Sequence, residues 1–240
     1  MLIELLNKDL NEYKDKEIRI EKLKHERRKN KFLLEGLLGT ILFFGISLAS
    51  RIILNLFFVM IMFGIVFPLI WAKCTKSWEF IGFTKKNLRK AIFWGLGAGG
   101  VFMIYQSLIT LGNHSFPSLL GLQLIFGIPI WVFVLSPFQE FFFRGWIQPR
   151  FQKSMGKWIG LILTSLFFTF WHFLPTFEGT STSTIKITTI EGILTTIGLG
   201  VMFGYIFQRT ENIVAPWLAH ALAGIIMILL GFITFITINP

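Results

Sequence analysis

Glu140 and Arg144 lie four residues apart in the run Gln139-Glu140-Phe141-Phe142-Phe143-Arg144-Gly145, inside one of the most apolar regions of the chain. That spacing places both on one helix face. A guanidinium stabilises a neighbouring carboxylate while apolar surroundings penalise it, and enzymes use this opposition to make a carboxylate that takes a proton from water. The other reading of such a pair is structural: a buried ion pair that fixes one helix against another. Two of the four histidines, His172 and His220, fall in later apolar segments. Imidazoles there can ligate a metal, stabilise a developing oxyanion or hydrogen-bond across helices. Ionisable groups at bilayer depth are costly and mark function by default. One acid, one cation and two imidazoles point to hydrolytic chemistry inside a helical bundle.

The elements that must hold these groups follow from composition. The 240 residues are 53% hydrophobic, 16% aromatic and 15% charged, a balance that excludes an ordinary soluble domain and predicts an all-α, polytopic membrane protein. Runs near span length cover 32–50, 52–72, 91–111, 119–138, 158–174, 192–207 and 213–238, seven spans in all. The fourth is expected to continue as helix past Glu140 toward Arg150, with Arg144 facing a water-filled chamber and Arg150 reaching the interface. The last is long enough to hold a bend or an eighth half-span. Only Arg51 separates the first two, which predicts a tight hairpin. Of 23 Lys and Arg, all but Arg51 and Lys186 fall on one side of this topology. The N-terminus is therefore expected in the cytoplasm and, with seven spans, the C-terminus outside. The net charge of +10 is then loop charge, not a nucleic-acid surface. Cys74, the sole cysteine, leaves no disulfide framework and no cysteine metal site.

Residues 1–31 form a charged cytoplasmic arm ahead of the bundle at 32–240, without the order of a cleavable signal peptide. Its stripe Ile3, Leu6, Leu10, Tyr13, Ile20 is broken at Glu17. The arm either assists topology, lies on an anionic leaflet or self-associates. Gly95/Gly99, Gly156/Gly160 and Gly200/Gly204 have GxxxG spacing and predict close helix approach. The Gly-rich run 95–100 lies within a span and reads as packing, not a phosphate loop. The 175–191 loop is polar, and the sequon Asn113-His114-Ser115 sits too close to the membrane to carry weight.

Taken in order, Glu140-x-x-x-Arg144-Gly145, Phe168-x-x-x-His172 and the stretch from Asn212 to His220 resemble the type II CAAX prenyl endopeptidases, also called the Abi or CPBP intramembrane proteases. The upstream segment from Glu79 through Gly82 and Asn87 to Arg89 is similar to the cytoplasmic lead-in of bacterial members, so the resemblance covers about 79–225. It implies an integral protein of a bacterial plasma membrane that hydrolyses peptides or membrane-tethered proteins. Bacterial members are linked to signalling or bacteriocin self-protection. It also implies catalytic roles for Glu140, Arg144, His172 and His220, with Gln139, Phe168 and Gly224 in support. The cofactor stays open: Glu140, His172 and His220 suffice for a zinc-like site, and glutamate chemistry without metal fits equally.

Two positions depart from the family pattern. Gln139 stands where the family has its first Glu, and Gly224 where it has Asn or Asp. Gln139 cannot accept a proton, so Glu140 takes that role or shares it through a bound water. Gly224 removes an amide donor, whose loss costs on the order of 100- to 1,000-fold in related chemistry; Thr169 and Ser165 are the candidate substitutes. The competing reading is a catalytically silent relative that binds a membrane partner. A small proton-relay transporter is a third, and it predicts internal repeats that the chain lacks.

Overall fold

The computed structural model describes residues 2–50, 52–53, 55–110, 116–117, 119–174 and 190–235. Arg51, Lys186, the sequon at 113–115, the loop at 175–189 and the side chains of Ile3, Leu6 and Leu10 lie outside the described residues. The chain folds as an all-helical bundle: α1 (Leu2–Ala49), α2 (Asn55–Thr75), α3 (Leu88–Thr110), α4 (Leu120–Met155), α5 (Lys157–Phe173), α6 (Ile190–Thr210) and α7 (Val214–Leu229). These helices stand at the seven predicted spans. Segments of α1 and α4, with α2, α3 and α6, are long and apolar enough to cross a membrane, whereas α5 has 17 residues and α7 has 16. Large apolar side chains such as Leu38, Ile41, Phe93, Val101, Phe133, Ile162 and Phe170 face outward. That much exposed hydrocarbon requires lipid around it, and the protein is a multi-pass integral membrane protein.

The bounds differ from the sequence reading in several places, the first helix running back from residue 32 to Leu2. The second helix starts at Asn55 instead of residue 52. The seventh apolar run stops being helical at Leu229, turns at Gly231 with φ +71° and returns to α4, where Phe235 N–H donates to Gln123 Oε1 at 2.9 Å. Gly156 is not a packing glycine: it has φ +95° and ends α4, so only Gly160 of that pair makes a close approach, to the Gln152 backbone. The other two pairs behave as expected. A Cβ on Gly95 would meet Ala215 O at 2.7 Å, and one on Gly99 would meet the Leu222 side chain at 2.8 Å, so α7 packs directly on the α3 backbone at these two glycines. Gly200 lies against Ser165, and Gly204 against Gln148.

As expected, α4 continues well past Glu140, but it is not uniform. Its turns widen to π geometry at Gln123–Gly127, Trp131–Leu135 and Phe141–Ile147. Each wide segment ends two residues before a proline, at Pro129, Pro137 and Pro149. A helical proline lacks an N–H and its ring crowds the carbonyl four residues earlier; a wider turn moves that carbonyl aside. The helix therefore absorbs three prolines without ending.

Parallel α4 and α6 are joined by a ladder in constant register. Arg144 Nη2 donates to Gly200 O at 3.2 Å, Gln148 Nε2 to Gly204 O at 2.9 Å and Gln152 Nε2 to Gln208 Oε1 at 2.9 Å. On the other flank α1 packs through Phe43, whose ring stacks on Phe142 at 4.0 Å. Arg150 is fully buried within the protein. Its Nε donates to Glu35 Oε2 at 3.0 Å and its Nη1 to Trp146 O at 2.9 Å, with Trp146, Trp71 and Phe80 around the guanidinium.

The turn between α6 and α7 is held by Asn212. Its Nδ2 donates to Thr84 O and Lys86 O, each at 2.8 Å, and its Oδ1 accepts from Val214 N–H at 3.0 Å. Ile213 N–H donates to Gly82 O at 2.8 Å; Gly82 has φ +71° and lies so close to Phe207 that only glycine fits. The 79–89 segment thus docks onto the end of α7 that leads to His220. Asn212→Ala removes three bonds at about 1 kcal/mol each, so a melting curve in detergent should show a loss of about 3 kcal/mol. Glu211→Ala, which removes an exposed ion pair with Lys86, should cost under about 1 kcal/mol.

Candidate active site in the helical bundle

Glu140, Arg144 and His220 form one buried cluster. Glu140 and Arg144 are fully buried, and His220 is nearly so. His220 Nδ1 lies 2.6 Å from Glu140 Oε1. Arg144 Nε is 3.3 Å from Glu140 Oε2, and its Nη1 donates to Oε1 at 3.4 Å. Its Nη2 donates to Gly200 O, and the rings of Phe168, Phe203 and Phe143 pack against the guanidinium, the nearest centroid 4.3 Å from Cζ. The expectation that Arg144 faces a water-filled chamber is therefore corrected. Its environment is carboxylate, carbonyl and aromatic ring.

His220 is located by two reciprocal indole bonds between α4 and α7. Trp131 Nε1 donates to His220 O at 3.1 Å, and Trp217 Nε1 donates to Val132 O at 2.7 Å. The Phe203 ring stacks on the imidazole at 4.8 Å and 22°. His172 joins the cluster through Phe168, whose ring centroid is 4.4 Å from His172 and 6.0 Å from His220. Phe168 thus touches Arg144 and both imidazoles. His172 Nδ1 donates to Phe168 O at 2.8 Å, which leaves Nε2 as the free ring atom. A neutral ring accepts a hydrogen bond there; an imidazolium donates one.

The conditional ligand set Glu140, His172 and His220 is not assembled as one. Among the described residues no three His, Cys, Asp or Glu side chains come together in a metal-holding group. The Nδ1 atom of each imidazole is already committed, one to a carboxylate and one to a backbone carbonyl.

Gly224 has a direct structural explanation. A Cβ placed there would overlap the indole of Trp131, so Trp131 fills the volume that a side chain at 224 would need. Thr169 and Ser165 do not replace the missing donor, because their hydroxyls are spent on Ser165 O at 2.9 Å and Leu161 O at 2.8 Å. Gln139 is buried with its Oε1 unpartnered. Trp131, Gln148, Gln152 and Ser136 were not singled out in the sequence. Three of them carried a legible signal: Ser136, Glu140, Arg144, Gln148 and Gln152 repeat every four residues through an otherwise apolar helix.

Gly224→Asn alone should overpack the site and lower stability by about 1–3 kcal/mol. Combining it with Trp131→Ala should recover most of that loss in the same detergent melt, as expected only if the two side chains compete for one volume.

No curated protein and no solved structure matches the chain. Residues 121–226 match the family model described as type II CAAX prenyl endopeptidase Rce1-like. The match runs from the start of α4 through most of α7; the 79–89 segment lies before it. The part of the bundle that carries Glu140, Arg144, His172 and His220 thus lies within the stretch that is similar to the Rce1-like type II CAAX prenyl endopeptidases.

Proposed function

We propose that the protein is an intramembrane endopeptidase in which Glu140 activates water for attack on a peptide bond of a peptide or membrane-tethered protein. The observation that carries this reading is the split role of the Glu140 carboxylate. Oε1 is held by His220 at 2.6 Å, while Oε2 is buried without a hydrogen-bond donor. A carboxylate oriented through one oxygen, with the other held only by the 3.3 Å ion pair to Arg144 Nε, keeps lone pairs with which to take a proton. Arg144 keeps the charge in place, and His172, with Nε2 free, is positioned to bind the water or, once charged, the oxyanion. The family match and the membrane-embedded bundle support this reaction class. The Lys and Arg asymmetry supports a cytoplasmic N-terminus, and the 79–89 lead-in supports a bacterial plasma membrane.

The second reading, a silent relative that binds a membrane partner, is favoured by Gln139 and by the Trp131 indole packed into the space above Gly224. The two readings separate in one experiment. Purified protein in nanodiscs is given fluorogenic peptides, with and without a prenylated C-terminal cysteine, alongside Glu140→Gln and His172→Ala. Each variant should lose about 100-fold or more in turnover. Melting curves are needed beside the rates, because removing one partner of a buried pair costs about 3–5 kcal/mol. Wild-type rates in both folded variants would overturn the assignment. No cleavage by wild type, but cleavage by Gln139→Glu combined with Gly224→Asn and Trp131→Ala, would establish the silent reading.

A further inference from the structure

Among the described residues, Ser136 is the exception among the buried helical hydroxyls. Thr40, Ser50, Thr164, Ser165, Thr169, Thr196 and Thr210 each donate to a carbonyl one turn earlier. Ser47 accepts from Trp171 Nε1 at 3.0 Å. Ser136 is fully buried and its Oγ has no partner. The reason is local: the carbonyl four residues earlier, Val132 O, is already taken by the Trp217 indole, and the turn between them is widened to π geometry. A hydroxyl buried without a bond costs about 1–3 kcal/mol.

The surroundings of Ser136 give this orphan a meaning. It stands three residues before Gln139 and four before Glu140, on the same helix face, with Cβ atoms about 5–6 Å apart. Gln139 Oε1 and Glu140 Oε2 are also buried without a hydrogen-bond partner, and so is Arg144 Nε apart from its 3.3 Å ion pair. Three oxygens and one nitrogen along one stretch of α4 are therefore left over together. A buried water makes about three hydrogen bonds to such groups.

We infer that Ser136 is a further catalytic residue: its hydroxyl, with Gln139 Oε1 and Glu140 Oε2, holds the water that attacks the substrate. This rests on the endopeptidase reading. Ser136 Oγ–H donates to the water oxygen, Gln139 Oε1 accepts from one water proton, and Glu140 Oε2 accepts and then takes the other. The oxygen's electron pair adds to the scissile carbonyl carbon. On collapse the C–N bond breaks, and the proton held by Glu140 passes to the departing amine. Gln139 thereby keeps a water-orienting role although it cannot be the base.

The test compares wild type with Ser136→Ala and Ser136→Thr by two readouts. The first is the infrared O–H stretch of internal water in nanodisc samples, measured in ordinary and ¹⁸O-labelled water. Wild type should show an ¹⁸O-sensitive band that Ser136→Ala loses and Ser136→Thr keeps. Lack of such a band in wild type, or its persistence in Ser136→Ala, overturns the proposal whether or not the protein cleaves peptides. The second readout is turnover. Ser136→Ala should lower kcat by about 100-fold, the scale of a misplaced reactant, with KM little changed and Ser136→Thr retaining most of the rate. If Ser136→Ala keeps wild-type kcat and only melts higher, the hydroxyl is a structural orphan and the proposal fails. A wild type that shows the water band but no cleavage defeats the endopeptidase reading and leaves the water site standing.

Discussion

Arg144 sets the terms for this bundle. A guanidinium with no solvent contact, in an interior of Phe and Leu, must find anionic and carbonyl partners for its donors and something tolerable for its faces. Glu140 supplies the charge, Gly200 supplies a carbonyl, and Phe168, Phe203 and Phe143 cover the plane. Each requirement recruits a different element. The carbonyl comes from α6, which Gly200 lets pack against Ser165 of α5, the rings come from α4, α5 and α6, and Glu140 in turn draws His220 of α7 to 2.6 Å. Satisfying a single buried cation thus brings four helices to one point, and that point holds every titratable side chain of the candidate site.

Three prolines in one membrane helix would ordinarily break it. Here each is preceded by a widened turn, and those turns have chemical consequences. A four-residue repeat drifts around an α-helix of 3.6 residues per turn; the wide turn through 141–147 takes up part of that drift between Glu140, Arg144 and Gln148. The wide turn at 131–135 releases Val132 O to Trp217 and leaves Ser136 without its usual acceptor. Backbone irregularity, indole bonding and the orphaned hydroxyl are one causal chain.

Much of this was legible in the chain itself. The helical membrane class followed from composition, the helix positions from apolar runs, and the meeting of Glu140, Arg144, His172 and His220 from residue type and order. Prolongation of α4 past Glu140 was legible because no residue before Pro149 stops it. What was not legible involves geometry between distant elements. Proline normally signals an end, so a helix that runs through Pro129, Pro137 and Pro149 gives no sign of its wide turns. Gly224 reads as the loss of a donor until the Trp131 indole is seen in its place, 93 positions earlier in the chain. Arg150 reads as a membrane-surface cation because its partner, Glu35, lies in the first predicted span, 115 positions earlier, and nothing along the chain pairs the two. Lengthwise patterns report neighbours along a helix; they do not report which indole fills which gap.

The three-rung register between α4 and α6 also restricts how this machine can breathe. Rungs four residues apart on both helices cannot be eased one at a time: a small slip of either helix along its axis misaligns all three, and the next matching position is about one helical turn, ~5.4 Å, away. The two helices therefore travel as a single rigid wall, with Glu140 and Arg144 mounted on it. His172 on α5 and His220 on α7 stand outside that wall, so the distance between carboxylate and imidazoles is the one dimension of the cluster that the ladder leaves unset.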